Sequence, residues 1–204
     1  MRYNKIRKMD ISNGPGIRVS IFMQGCTFNC KECFNPSTHD FNGGEEFTQD
    51  TIDQVLEICS DENISGLSIL GGEPMHPKNI EGTGELAKQF KERFPDKSVW
   101  VWSGFTFDRD LKDKEELKYI DVLVDGQFVN ELRDPRLKYR GSSNQRVIDI
   151  KKTKKNMNIY IQKLLIHLEI YVILKIILLK ILKKSRWKSS PPAKTCRTLN
   201  RVTL

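Results

Sequence analysis

No fourth cysteine stands near the three at positions 26, 30 and 33 of this 204-residue chain, and only Cys59 and Cys196 occur elsewhere. Five cysteines, three of them tightly spaced behind no secretory leader, argue against a disulfide framework and for a metal or redox site in a reducing compartment. The expectation is a cytoplasmic protein. No apolar run approaches the roughly 18 residues that a membrane span needs. Residues 1–150 also lack a basic patch interleaved with aromatics, so they give no sign of a nucleic-acid surface.

Glycine is absent from the last quarter of the chain: all 13 glycines lie within the first 150 residues. Acids are nearly absent there too, since residues 151–204 hold 11 Lys and 3 Arg against the single acid Glu169. The overall net charge of +8 therefore describes the tail, and the first 150 residues, with 20 basic and 25 acidic side chains, are mildly acidic. Lys163, His167, Glu169, Lys175 and Lys180 interrupt the tail's apolar stretches and scatter around the whole helical wheel. Neither a spanning nor an interfacial amphipathic helix fits that scatter. A tail confined largely to Lys, Ile, Leu, Asn and Tyr resembles translation of an AT-rich gene in the wrong frame. The hypothesis is a frame change near residues 153–156, and resequencing that returns an intact frame with the same tail would overturn it. The remaining length suits one domain with a buried core.

What is present in that part alternates strand and helix signals. IRVSIFM (17–23) is apolar and β-branched, and it runs into the cysteine loop. TQDTIDQVLEIC (48–59) begins with a Thr cap and spaces Ile52, Val55, Leu56 and Cys59 along one helical face. GLSILGGEP (66–74) is a buried strand ending in a glycine pair and a proline. A helix over 82–94 turns Leu86, Phe90 and Phe94 inward, and strands at 98–104 and 121–126 flank a short helix at 114–120. This alternation predicts a parallel sheet with crossover helices and functional loops at the carboxyl ends of its strands. The cysteine loop, GGE, WSG and VDG each fall at such an end and should converge.

Structural zinc normally closes a four-ligand tetrahedron, and His39, six residues after Cys33, is the one candidate to complete it, at a spacing that matches no common zinc pattern. An iron-sulfur cubane takes one thiolate per iron, so three cysteines leave one iron open to a small chelating molecule. An electron carrier would usually supply four cysteines. Iron against zinc in a metal analysis separates these readings.

GCTFNCKECFN (25–35), with Phe34 directly after the third cysteine, resembles the Cys-x3-Cys-x2-Cys signature of radical S-adenosylmethionine enzymes, and GGEP (71–74) stands where that superfamily has its glycine-rich segment. DISNGPGIRVSIFMQGC (10–26), SVWVWSGF (98–105), DVLVDGQFV (121–129) and LRDPRLKYRGSSNQRVIDI (132–150) are similar to the activating proteins of anaerobic ribonucleoside-triphosphate reductase, over residues 1–152 and in order and spacing. The resemblance implies a radical S-adenosylmethionine activase domain at 1–152 followed by an atypical tail at 153–204. Its fold would be α/β, an open partial barrel of parallel strands, shorter than a full eight-stranded barrel.

By the same resemblance, Cys26, Cys30 and Cys33 would ligate a [4Fe-4S] cluster, and S-adenosyl-L-methionine would chelate the open iron. One-electron reduction, from a donor such as flavodoxin, would cleave that cofactor to methionine and a 5′-deoxyadenosyl radical, which would take hydrogen from a glycine Cα of the partner reductase, its glycyl radical subunit. Glu32, Cys33 and Phe34 would lie beside the adenine, and Gly71, Gly72 and Glu73 would meet the methionyl amine, with Glu73 as its acceptor. The chemistry then belongs to an oxidoreductase whose cofactors do the reacting, with no further catalytic side chain assigned. Activation of another glycyl radical enzyme such as pyruvate formate-lyase, formation of a modified deazapurine, and a non-enzymatic electron-transfer module are the competing readings. Arg18 and Arg140 are arginines expected to be solvated, and Trp100 and Trp102 alternate with Val99 and Val101 on a strand with one core face.

Overall fold

The computed structural model describes residues 1–157, 162, 170, 172 and 175. Two compact units divide the chain, Met1–Lys154 and Lys155–Leu204. The described residues of the second are helical, and the rest of the tail, including its proposed change of frame and Cys196, lies outside the described residues. Among the described residues, no helix is long and apolar enough to cross a membrane.

The first unit is a mixed seven-stranded sheet. Its strands are β1 (Arg2–Asp10), β2 (Ile17–Met23), β3 (Glu45–Glu46), β4 (Ile64–Gly71), β5 (Ser98–Trp102), β6 (Val122–Asp125) and β7 (Arg146–Asp149). They lie in the order β3-β1-β2-β4-β5-β6-β7. The central four, β2, β4, β5 and β6, are parallel as the alternating pattern predicts. The expectation of parallel strands throughout is corrected at the edges, where β1 runs antiparallel to β2 and β3, and β7 antiparallel to β6. The loop over residues 126–145 after β6, whose one regular piece is the 3-10 turn Asn130–Leu132, and the N-terminal strand laid against β2 place no crossover helix on the sheet, so antiparallel pairing is the accessible geometry there.

Helix α1 (Gln49–Ile58) starts at the extended Thr48, whose backbone N–H donates to Thr51 Oγ1 at 3.2 Å, and Asp50 sits in its first turn. Helix α2 (Ile80–Arg93) carries Glu81 at its start and Lys91 and Arg93 at its end, which complements the helix dipole. The helix expected at 114–120 is instead a 3-10 turn, Glu115–Tyr119, preceded by one π turn at Phe107–Leu111.

Because the central strands are added in one direction, right-handed crossovers bring both helices to the same face of the sheet. There Val19, Ile21, Met23, Leu67, Ile69, Val99, Val101 and Leu123 pack with Ile52, Val55, Leu86 and Phe90 in one apolar core. The period-2 alternation of β2 sends Arg18, Ser20 and Phe22 to the other face, in register with Gly66, Ser68 and Leu70 of β4. Trp100 and Trp102 share that second face, opposite the core pair Val99 and Val101.

Arg18 departs from the expectation of a solvated arginine, being wholly buried. All five of its N–H groups find neutral oxygens: Ser68 Oγ (2.7 Å), Ser98 Oγ (3.0 Å), and the carbonyls of Pro15 (3.4 Å), Leu67 (2.8 Å) and Ser98 (2.8 Å). Burial lowers its pKa to about 10, still high enough to keep the charge at neutral pH. It ties the 13–16 turn to β4 and β5 at the amino ends of the parallel strands.

Phe90 is fully buried between α2 and the sheet. Phe90→Ala should lower unfolding stability by about 3–5 kcal/mol through lost burial and the cavity left behind, read as a reduced urea midpoint. A change within 1 kcal/mol would show that this core is looser than its packing implies.

Candidate functional site

The four strand-end loops do converge. A cavity of about 560 Å³ is lined by Cys26, Cys30 and Cys33 from the loop after β2, by Gly71, Gly72 and Glu73 after β4, by Trp102, Ser103 and Gly104 after β5, and by Gly126 after β6. It extends over the helix-free face of the sheet to Phe22 and Leu70, and Arg7, Tyr139 and Arg140 close its far side.

The cysteine loop has little regular structure of its own. Asn29 and Glu32 adopt positive φ values of 46° and 57°, uncommon for non-glycine residues, and these kinks turn the chain twice between Cys26 and Cys33. Cys33 N–H donates to Cys30 O at 3.2 Å, and Asn35 N–H to Cys33 Sγ at 3.4 Å. Burial, reinforced by the neighbouring Glu73, Cys30 and Cys33, raises the Cys26 thiol pKa. A bound cation would reverse that preference by stabilising the thiolate.

The cysteine and glycine-rich loops are clasped to each other by backbone. Gly72 N–H donates to Met23 O and Glu73 N–H to Gly25 O, both at 2.8 Å, while Gly25 N–H donates to Thr38 O at 2.8 Å. Asn79 Nδ2, buried at the start of α2, donates to Gln24 O at 2.9 Å and Glu73 O at 3.0 Å. Gln24 Nε2 in turn holds the carbonyls of Ser37 (3.0 Å) and Asp40 (2.7 Å). At Gly72 a Cβ would stand 2.6 Å from Gly25 O and 3.0 Å from Thr38 O, so glycine is required by close backbone approach.

Glu73 is a buried carboxylate held by three donors: Ser103 Oγ (2.7 Å) and Met75 N–H (2.9 Å) on Oε1, and Gly104 N–H (2.6 Å) on Oε2. One acceptor direction on Oε2 remains. Burial pushes its pKa up to about 7 even though all three hydrogen bonds favour the charged form.

Of the residues singled out from the sequence, Cys26, Cys30, Cys33, Phe34, Gly71, Gly72 and Glu73 all line the cavity, whereas Glu32 is exposed and outside its lining. Phe34 is 63% exposed, packed edge-on against Phe128 at 5.4 Å, with the Arg133 guanidinium 5.3 Å over its ring. Cys59 is a small buried core residue, its thiol pKa raised to about 12 by burial. Ser103 and Gly104 belong to the WSG turn expected at the site, with no role assigned to either, and Asn79 and Gln24 went unnoticed in the sequence. Only WSG, a turn at a strand end, carried a signal, and nothing local distinguishes a buried Asn or Gln from a surface one.

The cavity fits an iron-sulfur cluster on the chemistry of its donors. Three cysteines of one loop line the cavity, and among the described residues they are not drawn together as the ligands of one tetrahedral ion would be. Among the described residues, no group of three His, Cys, Asp or Glu side chains is arranged to hold a single ion. A multinuclear cluster needs its ligands spread around a larger body, with room beside it for a further ligand.

A family model described as a 4Fe-4S single cluster domain matches residues 12–148. Proteins named anaerobic ribonucleoside-triphosphate reductase-activating protein are similar to most of the first unit's length. That of Vibrio cholerae is 42% identical over 149 residues, covering 71% of this chain and 96% of the relative. The enterobacteria phage T4 protein is 41% identical over 147 residues, with 72% and 93% covered. That of Escherichia coli K12 is 40% identical over 148 residues, with 71% and 96% covered. The chain belongs to the anaerobic ribonucleoside-triphosphate reductase-activating protein family. Family membership gives the cavity its setting: an iron-sulfur domain in which the four strand-end loops meet.

The raised pKa of Glu73 makes stability pH-dependent with a defined sign. A carboxyl that binds its proton more tightly folded than unfolded stabilises the fold at low pH, and that contribution is lost as pH rises from about 4.5 through about 7. In urea titrations of the metal-free protein, the stability of wild type relative to Glu73→Gln should fall across this window, by at most about 3 kcal/mol. A difference that stays flat, or grows with pH, would show that the three donors outweigh burial.

Proposed function

We propose that this protein is a radical S-adenosylmethionine activase that installs a glycyl radical on anaerobic ribonucleoside-triphosphate reductase. The observation that carries the reading is the meeting of three cysteine thiols with the Gly71-Gly72-Glu73 loop in one cavity, in a chain about 40% identical over its first unit to proteins named for activating that reductase. When bound, a [4Fe-4S] cluster supplies one electron to S-adenosyl-L-methionine, whose cleavage gives methionine and a 5′-deoxyadenosyl radical able to take a hydrogen atom from a glycine Cα.

Cys26, Cys30 and Cys33 would hold the cluster as thiolates and leave one metal position for the amino and carboxylate groups of the cofactor. The backbone of Gly71 and Gly72, drawn tight against β2 and the cysteine loop, would form the strip along which the methionyl end lies, and the remaining acceptor direction of Glu73 Oε2 suits its ammonium. Cys33 and Phe34 offer an edge and an aromatic face to the adenine, with Glu32 contributing backbone only. The apolar and aromatic side chains of Phe22, Leu70 and Trp102 limit the water and hydrogen donors that would quench a radical. The helix-free sheet face is read as the inside of an open partial barrel through which a reductase loop enters. Residues 1–152 are taken as the active domain, with flavodoxin a suitable one-electron donor and the cytoplasm the setting.

The test is anaerobic reconstitution with iron and sulfide, reduction, and incubation with S-adenosyl-L-methionine and the reductase. Wild type should release 5′-deoxyadenosine and methionine and leave a glycyl radical doublet on the reductase. Cys30→Ala should lower 5′-deoxyadenosine formation at least 100-fold. Zinc in place of iron, or a reducible cluster with no cofactor cleavage, would replace this reading with that of a structural or electron-transfer module.

A further inference from the structure

His39 lines the same cavity as the three cysteines, and its Nε2 is buried with no hydrogen-bond partner. Among the described residues, the only other buried side-chain polar atom left so is Ser20 Oγ, which lies within β2. An enclosed polar nitrogen without a partner is costly, and such an orphan signals a group that completes the site. The backbone around it is fixed: His39 N–H donates to Pro36 O at 3.2 Å, and His39 O accepts from Cys26 N–H at 3.1 Å. This pairing holds His39 opposite Cys26, at the foot of the thiol-bearing loop.

Resting on the reading of this cavity as a cluster site, we propose that His39 is a positioning residue for the cluster, whose Nε2–H donates a hydrogen bond to a sulfur of the assembled centre, the Cys26 thiolate being the sulfur nearest in the backbone pairing. Sulfur carries the negative charge of such a centre, and an N–H directed at it favours the more negative, reduced state. Hydrogen bonds to sulfur are among the recognised determinants of iron-sulfur potentials. A direct ligand role for His39 is the less favoured alternative, because Nε2 is enclosed by protein whereas the open metal position must face the cavity and its incoming chelator.

The experiment compares full-length wild type, His39→Leu and His39→Gln after iron and sulfide reconstitution, by redox titration followed with EPR. The Gln side chain retains an N–H donor at about the reach of Nε2. His39→Leu should disfavour cluster reduction about tenfold, a midpoint about 59 mV more negative for a one-electron couple, and His39→Gln should recover most of that shift. An unchanged potential in His39→Leu would overturn the inference. Equal shifts in both variants would do the same, assigning the effect to packing. Loss of the cluster in both variants would also overturn it, in favour of direct ligation. Failure of wild type to assemble a cluster would instead sink the underlying site reading, and this inference with it.

Discussion

The backbone clasp between the cysteine loop and the glycine-rich loop is the constraint on which the rest of the site depends. Gly72 and Glu73 N–H groups reach back to Met23 and Gly25, and Asn79 bridges Gln24 and Glu73 from the start of α2. Each bond contributes only about 0.5–1.5 kcal/mol net. Their importance is positional, because they make one rigid corner from loops that leave adjacent parallel strands. The clasp needs the loops at van der Waals contact, and that closeness explains why position 72 tolerates no side chain.

From that corner the two faces of the sheet divide their work. One face is a continuous apolar core beneath α1 and α2, and it supplies the stability. The other is polar and aromatic, carries no helix from the crossovers, and leaves space over the strand ends. A buried arginine satisfied by five neutral acceptors anchors this second face at its base, so the 13–16 turn is held without a countercharge. Glu73 plays the corresponding part at the top, joining the loop after β4 to Ser103 and Gly104 after β5. The cavity is thus framed by polar ties, while the core behind it carries the folding energy.

Much of this was legible in the sequence because the informative signals were local. The β-branched runs of β2, β4, β5 and β6, the Thr48 cap and the Cys-x3-Cys-x2-Cys spacing each declare themselves within a dozen residues. Strand β1 did not, since RYNKIRKMD is mostly charged; its Lys5 and Arg7 lie over the Phe22 ring, using aliphatic stems and charge where apolar side chains would have announced a strand. The burial of Arg18 was equally hidden, because its five acceptors come from segments up to 80 residues away. His39 could be noted as a possible ligand, but the orphaned state of its Nε2 is a tertiary fact. The two tryptophans illustrate the limit of alternation: it separates Trp100 and Trp102 from the core valines but cannot say that Trp102 borders a cavity.

The central claim is that three cysteines hold a cluster with one metal position left for a chelating cofactor. Low-temperature EPR of the reconstituted, reduced protein with and without S-adenosyl-L-methionine tests it most directly. The account predicts a reduced cubane signal whose g-values shift when the cofactor is added. A cubane signal indifferent to the cofactor, or iron-free protein loaded with zinc, would contradict it.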